Sequence, residues 1–463
     1  MRGKIGKFLT SDFPFLWANY HGRIWGISIK SVNLQKIILL KTILLFGAGK
    51  SATVLIHYLV KESAENQWKF IIADANKEQI LSKTGSAPHV EAVEINIHDD
   101  EKRAALIQQA HVVISMMPPD LHFLVAKDCV EYRKHLLTAS YLDPKIKTLQ
   151  DEINDRKLLF LCEMGLDPGI DHMSAMKLID NIKAKGGNIS SFKSHCGGLV
   201  APESDDNPWH YKISWNPRNV VLAGKAGAEY KEDAVVVKRS YAQLFEGVNV
   251  LEVNGLGQLA YYPNRDSLSY IPLYKLSGAH TFIRTTLRYP AFMEGWKLLL
   301  QAGLTNDTDA INPAGLSYSK WSEPIKALLT DKNKDMFAFL GLFDDQVVPA
   351  TANSSADILQ SLLENKLKML PQDHDMIVML HELEYELEGK TNKLQSTLIV
   401  KGENSLDTAM AKTVGLPLGI TAKLLLEDKL TLRGLHIPIV KDIYLPVLAE
   451  LEKLGVCFSE EWV

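Results

Sequence analysis

The sequence predicts an α/β protein: a doubly wound parallel sheet opens the chain, and a mixed-sheet α+β region with a helical insertion follows. Three observations carry this. Short apolar runs alternate with helical segments between Thr42 and Met117, as in strands covered on both faces by crossover helices. The first run ends in Gly47-Ala48-Gly49-Lys50-Ser51-Ala52, which fits the G-x-G-x-x-A turn of a Rossmann dinucleotide-binding domain. From about residue 190 the texture changes to apolar strands punctuated by glycine- and proline-bearing loops.

The glycine turn also spells Gly-Lys-Ser, the ending of a P-loop. That motif needs a further glycine where this chain has Leu44, inside the apolar run, so the phosphate-wrapping loop cannot form. In the dinucleotide reading Gly47 permits the tight turn, Gly49 lets a pyrophosphate approach the backbone, and Ala52 lets helix and strand pack closely. Lys50 and Ser51 open the helix, whose free N–H groups favour the anion.

Each following element has its own signal. Thr42–Phe46 reads as a buried strand and Ser51–Lys61 as a helix with Val54, Leu55, Tyr58 and Leu59 on its apolar side. Lys69–Ala73 is the second strand and ends in Asp74, where a carboxylate would bond a ribose 2′-hydroxyl and repel a 2′-phosphate. That favours NAD over NADP, although Lys77 nearby softens the discrimination. Strands follow near Val90–Ile95 and in His111–Met117, closed by Pro118-Pro119. The segments containing His195, Ser214 and Tyr261 read as strands of a mixed sheet, and residues 291–369 as mostly helical. In "LEYELEGKTNKLQSTLIV" glutamates alternate with Leu383, Tyr385 and Leu387, which predicts a hairpin with "GKTN" between its arms. The tail from Asp407 returns to helix and is expected to pack on the first domain.

At 463 residues the chain exceeds one core. The division expected is an extension (1–40), a Rossmann domain (41–165 and 403–463), a substrate-binding mixed-sheet domain (166–290 and 370–402) and a helical domain (291–369). The extension carries six basic residues against the single Asp12 and no apolar stretch long enough to span a bilayer. Basic and poor in acids, it resembles a mitochondrial transit peptide but lacks that class's serine and arginine richness; of a leader and an extension outside the fold, the second is expected. The net charge of −4 gives no electrostatic case for nucleic acid or anionic membrane. The four scattered cysteines, Cys129, Cys162, Cys196 and Cys457, suit a reducing, cytoplasmic setting and no structural zinc site. His381-Glu382 lacks the second histidine of a zincin, so no metal is expected.

Polar residues concentrate between residues 138 and 290. Thr138-Ala139-Ser140-Tyr141, Gly165-Leu166-Asp167-Pro168-Gly169-Ile170-Asp171-His172, Cys196-Gly197-Gly198, Tyr262-Pro263-Asn264-Arg265-Asp266 and Leu287-Arg288-Tyr289 resemble motifs of the saccharopine dehydrogenases of the glutamate-forming type, also called saccharopine reductases. The similarity runs from about Thr42 to the C-terminal helices. It implies a Rossmann domain completed by C-terminal helices, a mixed-sheet substrate domain, a helical third domain, a nicotinamide cofactor (NAD or NADP), no metal and a homodimer. By motif, Ser115, Pro118, Ser140 and Leu166 would border the cofactor. Pro119, Tyr141, Asp167, Arg218, Asn264, Arg265 and Asp266 would hold the substrate. The family commonly has an aromatic residue where this chain has Pro119; Val200 replaces a usual proline and Thr285 a usual glycine.

The implied reaction is oxidation of saccharopine's secondary amine to an imine, followed by hydration and collapse to L-glutamate and 2-aminoadipate 6-semialdehyde. Saccharopine carries three carboxylates, natural partners for arginine forks; Arg218 and Arg265 are candidates, and Arg284 and Arg288 are either forks or structural. Each step moves a proton, which leaves Asp167, His172 and Cys196 as candidates. Asp167 comes first, provided that burial raises its pKa. His172 also fits a brace of its own helix, and Cys196 a buried apolar filler. Two other readings stay open: a related amine dehydrogenase acting on a polyamine, whose pocket should be acidic, and a dinucleotide-binding regulator without turnover.

Overall fold

In the first six strands the apolar runs do what their composition dictates. β1 (Thr42–Phe46), β2 (Lys69–Asp74), β3 (Val90–Glu94), β4 (Val112–Ser115), β5 (His135–Thr138) and β6 (Leu159–Leu161) form one parallel sheet in a computed structural model that describes residues 40–462. The expectation for the extension falls on residues outside that range.

β1 shows why the sheet needs cover on both sides. Ile43 and Leu45 face one core with Leu55 and Leu59, while Leu44 and Phe46 face another with Leu106 and Val125, the period of two that a strand imposes. The chain winds β1 to β3 outward, then returns to place β4 on the other side of β1. That reversal opens a crevice at the carboxyl ends of β1 and β4, where such folds bind ligands.

The helix Ala409–Leu426 covers the first core. Gly415 and Gly419 let it approach closely: a Cβ on them would fall 2.9 Å from Leu55 Cβ and 2.6 Å from Tyr58 Cδ1. This helix is long and apolar enough to cross a bilayer, but 83% of it is buried in the protein, so its composition reflects a core position.

The second sheet is mixed, as expected. β7 (Asn188–Val200) lies in its middle, and β8 (Ala228–Glu232), β9 (Val235–Arg239), β10 (Asn249–Val253), β11 (Gly257–Pro263), β12 (Arg265–Asp266) and β13 (Thr281–Arg288) build one side. β13 runs parallel to β7, and β14 (Asp375–Leu387) and β15 (Lys390–Lys401) extend the other side antiparallel. The hairpin between β14 and β15 exists, but its turn is Glu388-Gly389, both at positive φ (53° and 73°), with Lys390 to Asn392 already paired. Two consecutive left-handed residues match the twist of the arms, so "KTN" is strand and not loop.

Two other expectations change. The apolar residues flanking Pro217 form no strand, and the loop expected at Arg218 is a turn of helix: Asn216 caps Pro217–Val221 by accepting from Arg218 N and Asn219 N, and proline at the first helical position favours this. The C-terminal tail divides between the sheets. β16 (Gly434–His436) joins β6 in the first, whereas β17 (Phe458–Trp462) pairs with β15 in the second, so residues 458–462 leave the Rossmann side. Residues 291–369 are mostly helical, with Pro290–Gln301 and Ser355–Lys366 the longest pieces.

Candidate functional site

Two neighbouring sets of residues gather at the carboxyl edge of the parallel sheet. The first is the glycine turn. Gly47 sits at φ +95° and donates its N–H to Ala73 O at 2.9 Å; a Cβ there would lie 2.9 Å from Met116 O. Gly49 is different: its φ is −61° and a Cβ would meet nothing within 4 Å. The space outside it is open, which is the room a pyrophosphate requires. Lys50 to Ala52 form a single 3-10 turn that leads into the helix Thr53–Asn66, and Ala52 is buried. Asp74, at the end of β2, accepts from Ala48 N at 2.7 Å and from Asn76 N at 2.9 Å. These residues fit a dinucleotide.

Beside the turn, Ser115 and Ser140 end or follow β4 and β5. Between them stands His122, which sequence reasoning missed: Ser115 Oγ lies 2.8 Å from its Nδ1 and Ser140 Oγ 2.8 Å from its Nε2. Burial lowers its pKa to about 4, so the ring is neutral, donating through one nitrogen and accepting through the other. A lone histidine after a proline pair carries no signal of this. Pro118 and Pro119 are exposed at the same edge.

The second set is a buried charge cluster reached through Tyr141. Cys162–His172 folds back on itself: Glu163 has φ 59°, the Asp167–Pro168 peptide is cis, and a Cβ on Gly169 would fall 2.0 Å from Gly165 O. Only glycine fits there. The turn puts Asp167 and Asp171 on one guanidinium. Arg284 Nη2 donates to Asp167 Oδ1 at 2.5 Å and to Asp171 Oδ2 at 2.7 Å, and Tyr141 Oη donates to Asp167 Oδ1 at 3.3 Å. Arg284 is 1% exposed and lies over the Tyr270 ring, 4.6 Å from its centroid. Its Nε and Nη1 have no partner. Of the two roles left open for Arg284, the structural one describes its contacts.

Behind the cluster, Glu163 Oε2 accepts from Tyr270 Oη at 2.9 Å and meets His172 Nε2 at 2.8 Å, while His172 Nδ1 meets Tyr274 Oη at 2.5 Å. Burial opposes the Glu163 charge, but His172, the Leu142 N–H and Tyr270 outweigh it and hold the carboxyl below its ordinary value. Asp171 is likewise held low against burial, by His172, Arg284 and the Gly169 N–H. Asp167 moves the other way: burial, helped by the Asp171 charge, raises it despite Arg284. Two carboxylates sharing one buried cation are driven apart in this way.

Three assignments change meaning here. His172 is fully buried with both nitrogens engaged, so it braces Glu163 and reaches no solvent. Cys196 is 7% exposed, and burial beside Asp167 and Asp171 pushes its thiol well above the usual range. It stays a thiol at neutral pH and cannot serve as a base. Arg218 is committed to Asp357, 2.7 Å away, and is absent from the walls of the pocket described next.

That pocket, about 360 Å³, is lined by Tyr141, Gly227, Glu229, Arg265, Asp266 and Tyr270, among others. Arg265 (φ 51°) is exposed and lies over the Tyr141 ring, 5.2 Å from its centroid. The acids of the wall are already engaged: Glu229 takes Lys238 at 2.8 Å, and Asp266 Oδ1 accepts from Leu268 N and Ser269 N. Asn264 is half-buried, its N–H donated to Arg284 O. Leu166 is buried at the base of the Asp167 turn. Among the described residues no group of histidine, cysteine and carboxylate side chains could hold a metal ion.

Comparison with known proteins agrees with this geometry. Residues 43–161 match the saccharopine dehydrogenase NADP binding domain, and residues 165–456 the saccharopine dehydrogenase C-terminal domain. The chain is 32% identical to saccharopine dehydrogenase [NADP(+), L-glutamate-forming] of Saccharomyces cerevisiae, over 91% of this chain and 99% of that one. It is 34% identical to mitochondrial alpha-aminoadipic semialdehyde synthase of Mus musculus, over 91% of this chain but 48% of that protein. The chain therefore spans about half the length of the synthases it matches. An apo saccharopine dehydrogenase (L-Glu forming) structure from Saccharomyces cerevisiae superposes with a TM-score of 0.82 at 31% identity, covering 91% of this chain and all of that one. With a dinucleotide turn, a shared fold and both family regions in place, the chain belongs to the saccharopine dehydrogenase family.

Proposed function

We propose that the chain oxidises saccharopine to L-glutamate and 2-aminoadipate 6-semialdehyde with a nicotinamide dinucleotide as acceptor. The observation that carries the reading is an open glycine turn in the same chain as an Arg265 pocket whose wall residue Tyr141 bonds the raised Asp167 carboxyl. The relatives' names support the same substrate. Lys238 pairs with Glu229, and two backbone N–H groups occupy Asp266 Oδ1, which leaves the Arg265 guanidinium as the wall's free fork for a substrate carboxylate and favours a polycarboxylate over a polyamine.

A bound dinucleotide, held at the turn of residues 47–52, would supply the acceptor for the hydride lost from the lysine-derived carbon beside the amine. The chain's own residues do the rest. Arg265 pairs with a substrate carboxylate, and Tyr141, in the pocket wall, holds Asp167 by its hydroxyl. Asp167 takes the amine proton as the carbon–nitrogen double bond forms and passes it to solvent, which restores the carboxylate. It then takes a proton from the water that adds, and returns one to nitrogen as the carbon–nitrogen bond breaks. For saccharopine, one water and one oxidised dinucleotide, the sum is glutamate, semialdehyde, reduced dinucleotide and one proton.

The Asp74 carboxylate supports NAD as the preferred dinucleotide, although the fungal relatives are named as NADP(+) enzymes. A homodimer and a cytoplasmic setting, the latter suited to four free cysteines, complete the proposal. The test is nicotinamide reduction by purified protein given saccharopine, with NAD and NADP in parallel. Equimolar glutamate and reduced dinucleotide are expected; turnover of a polyamine in saccharopine's place would overturn the reading.

A further inference from the structure

Asp74 poses a problem for a chain whose first domain matches an NADP-binding model: a carboxylate at the end of β2 repels a 2′-phosphate. Lys83 answers it. It projects from the last turn of the helix Lys77–Thr84 onto the glycine turn, where its Nζ donates to Gly49 O at 2.7 Å and to Ala48 O. The N–H of that same Ala48 is held by Asp74 Oδ2 at 2.7 Å. One residue of the turn, Ala48, thus carries the acid on its N–H and the base on its carbonyl, and the two charges share one lip of the dinucleotide site.

Three further facts bear on what the lysine does there. An ammonium has three N–H groups, and the two turn carbonyls use two of them, which leaves one for a ligand. Burial lowers its pKa to about 8, against the pull of Asp74, so the group is charged on most molecules at pH 7. Lys50 and Lys77, the other cations of this region, are exposed and make no hydrogen bond to the turn.

We propose that Lys83 is a specificity-determining residue of the dinucleotide site, whose ammonium offsets Asp74 and accepts a 2′-phosphate, so that the chain binds NADP as well as NAD. A 2′-hydroxyl needs only Asp74. A 2′-phosphate, with nearly two negative charges, needs the cation. Lys83 therefore sets the ratio of the two affinities, while Asp74 sets the floor for NAD.

This rests on the dinucleotide reading above and is tested by binding, with no turnover required. Dissociation constants of NAD and NADP are measured by calorimetry at pH 7 for the wild type, Lys83→Met and Lys83→Arg. The wild type is expected to bind both. Lys83→Met should weaken NADP about tenfold or more and NAD by less than about threefold, and Lys83→Arg should retain NADP. The salt dependence of NADP binding should also flatten in Lys83→Met. Equal weakening of both dinucleotides would make Lys83 a brace of the turn, and no change in either would place the 2′-phosphate elsewhere; each overturns the proposal. A wild type that binds neither dinucleotide removes the proposal together with the reading beneath it, a result distinct from selective failure with NADP.

Discussion

Asp167→Asn isolates the proton-transfer role from the structural one. Asn keeps the volume and an oxygen for Arg284 Nη2, now 2.5 Å from Asp167 Oδ1, and Arg284 keeps its second carboxylate, Asp171, at 2.7 Å. The buried cation is therefore still compensated, and the stability cost is that of turning one charged hydrogen bond into a neutral one, about 1–2 kcal/mol. Catalysis loses far more. A positioned general base contributes about 10²–10⁴ in rate, which is about 3–5 kcal/mol of barrier. Because burial raises the Asp167 pKa, the proton-accepting form fills only above the ordinary carboxylate range, and wild-type kcat/KM should fall as pH drops through that raised value. The assay is the pH profile of kcat/KM for saccharopine in both proteins, with dinucleotide affinity measured alongside. Asp167→Asn should lose about 10² or more at pH 7, lose the acidic limb and bind dinucleotide within about twofold of wild type. A loss under tenfold with the acidic limb intact would refute Asp167 as the proton acceptor.

Other substitutions test the remaining parts. Gly49→Val should abolish dinucleotide binding while leaving the melting temperature nearly unchanged, because its φ of −61° suits any residue and no protein atom lies within 4 Å of a Cβ; unaltered NAD affinity would remove Gly49 from the site. Arg265→Ala should raise KM for saccharopine about tenfold or more, in line with a lost charged hydrogen bond, with the dinucleotide KM within about twofold; equal changes in both would point to folding damage. Glu163→Gln should destabilise the protein by about 2–4 kcal/mol at pH 7 in urea unfolding, somewhat less than breaking a buried pair outright. The Glu163 carboxyl is held low in the fold, so its contribution is complete above the unfolded value of about 4.3 and is lost as pH falls through the folded one. The gap between wild type and Glu163→Gln should narrow over that window, and a gap independent of pH would show that the charge does not matter.

The dinucleotide turn was legible because its information is local: Gly47, Gly49, Ala52 and Asp74 lie within one strand–helix–strand unit. The alternation of Leu383, Tyr385 and Leu387 likewise announced a hairpin, but locating the turn needed the left-handed backbone of Glu388 and Gly389, and glutamate gives no hint of it. The strand expected around Ser214 failed because Asn216 and Pro217, a cap and a first-turn proline, were outweighed by the apolar residues flanking them. The charge cluster was half legible. Asp167, Asp171 and Glu163 stand in one decapeptide, but Arg284 is 117 residues from Asp167, and no spacing rule joins them. Helical spacing between Arg284 and Arg288 carried no weight either, since both lie on β13. The pairing of Arg218 with Asp357 and of β17 with β15 depends on contacts across the chain that composition does not encode.

The most direct test of the central claim gives saccharopine and either dinucleotide to the purified wild type and to Arg265→Ala, following reduced nicotinamide and glutamate together. The account predicts equimolar products from the wild type, none from a polyamine, and a saccharopine KM raised about tenfold or more in the variant at unchanged dinucleotide affinity. Dinucleotide binding without oxidation of saccharopine by the wild type would contradict it.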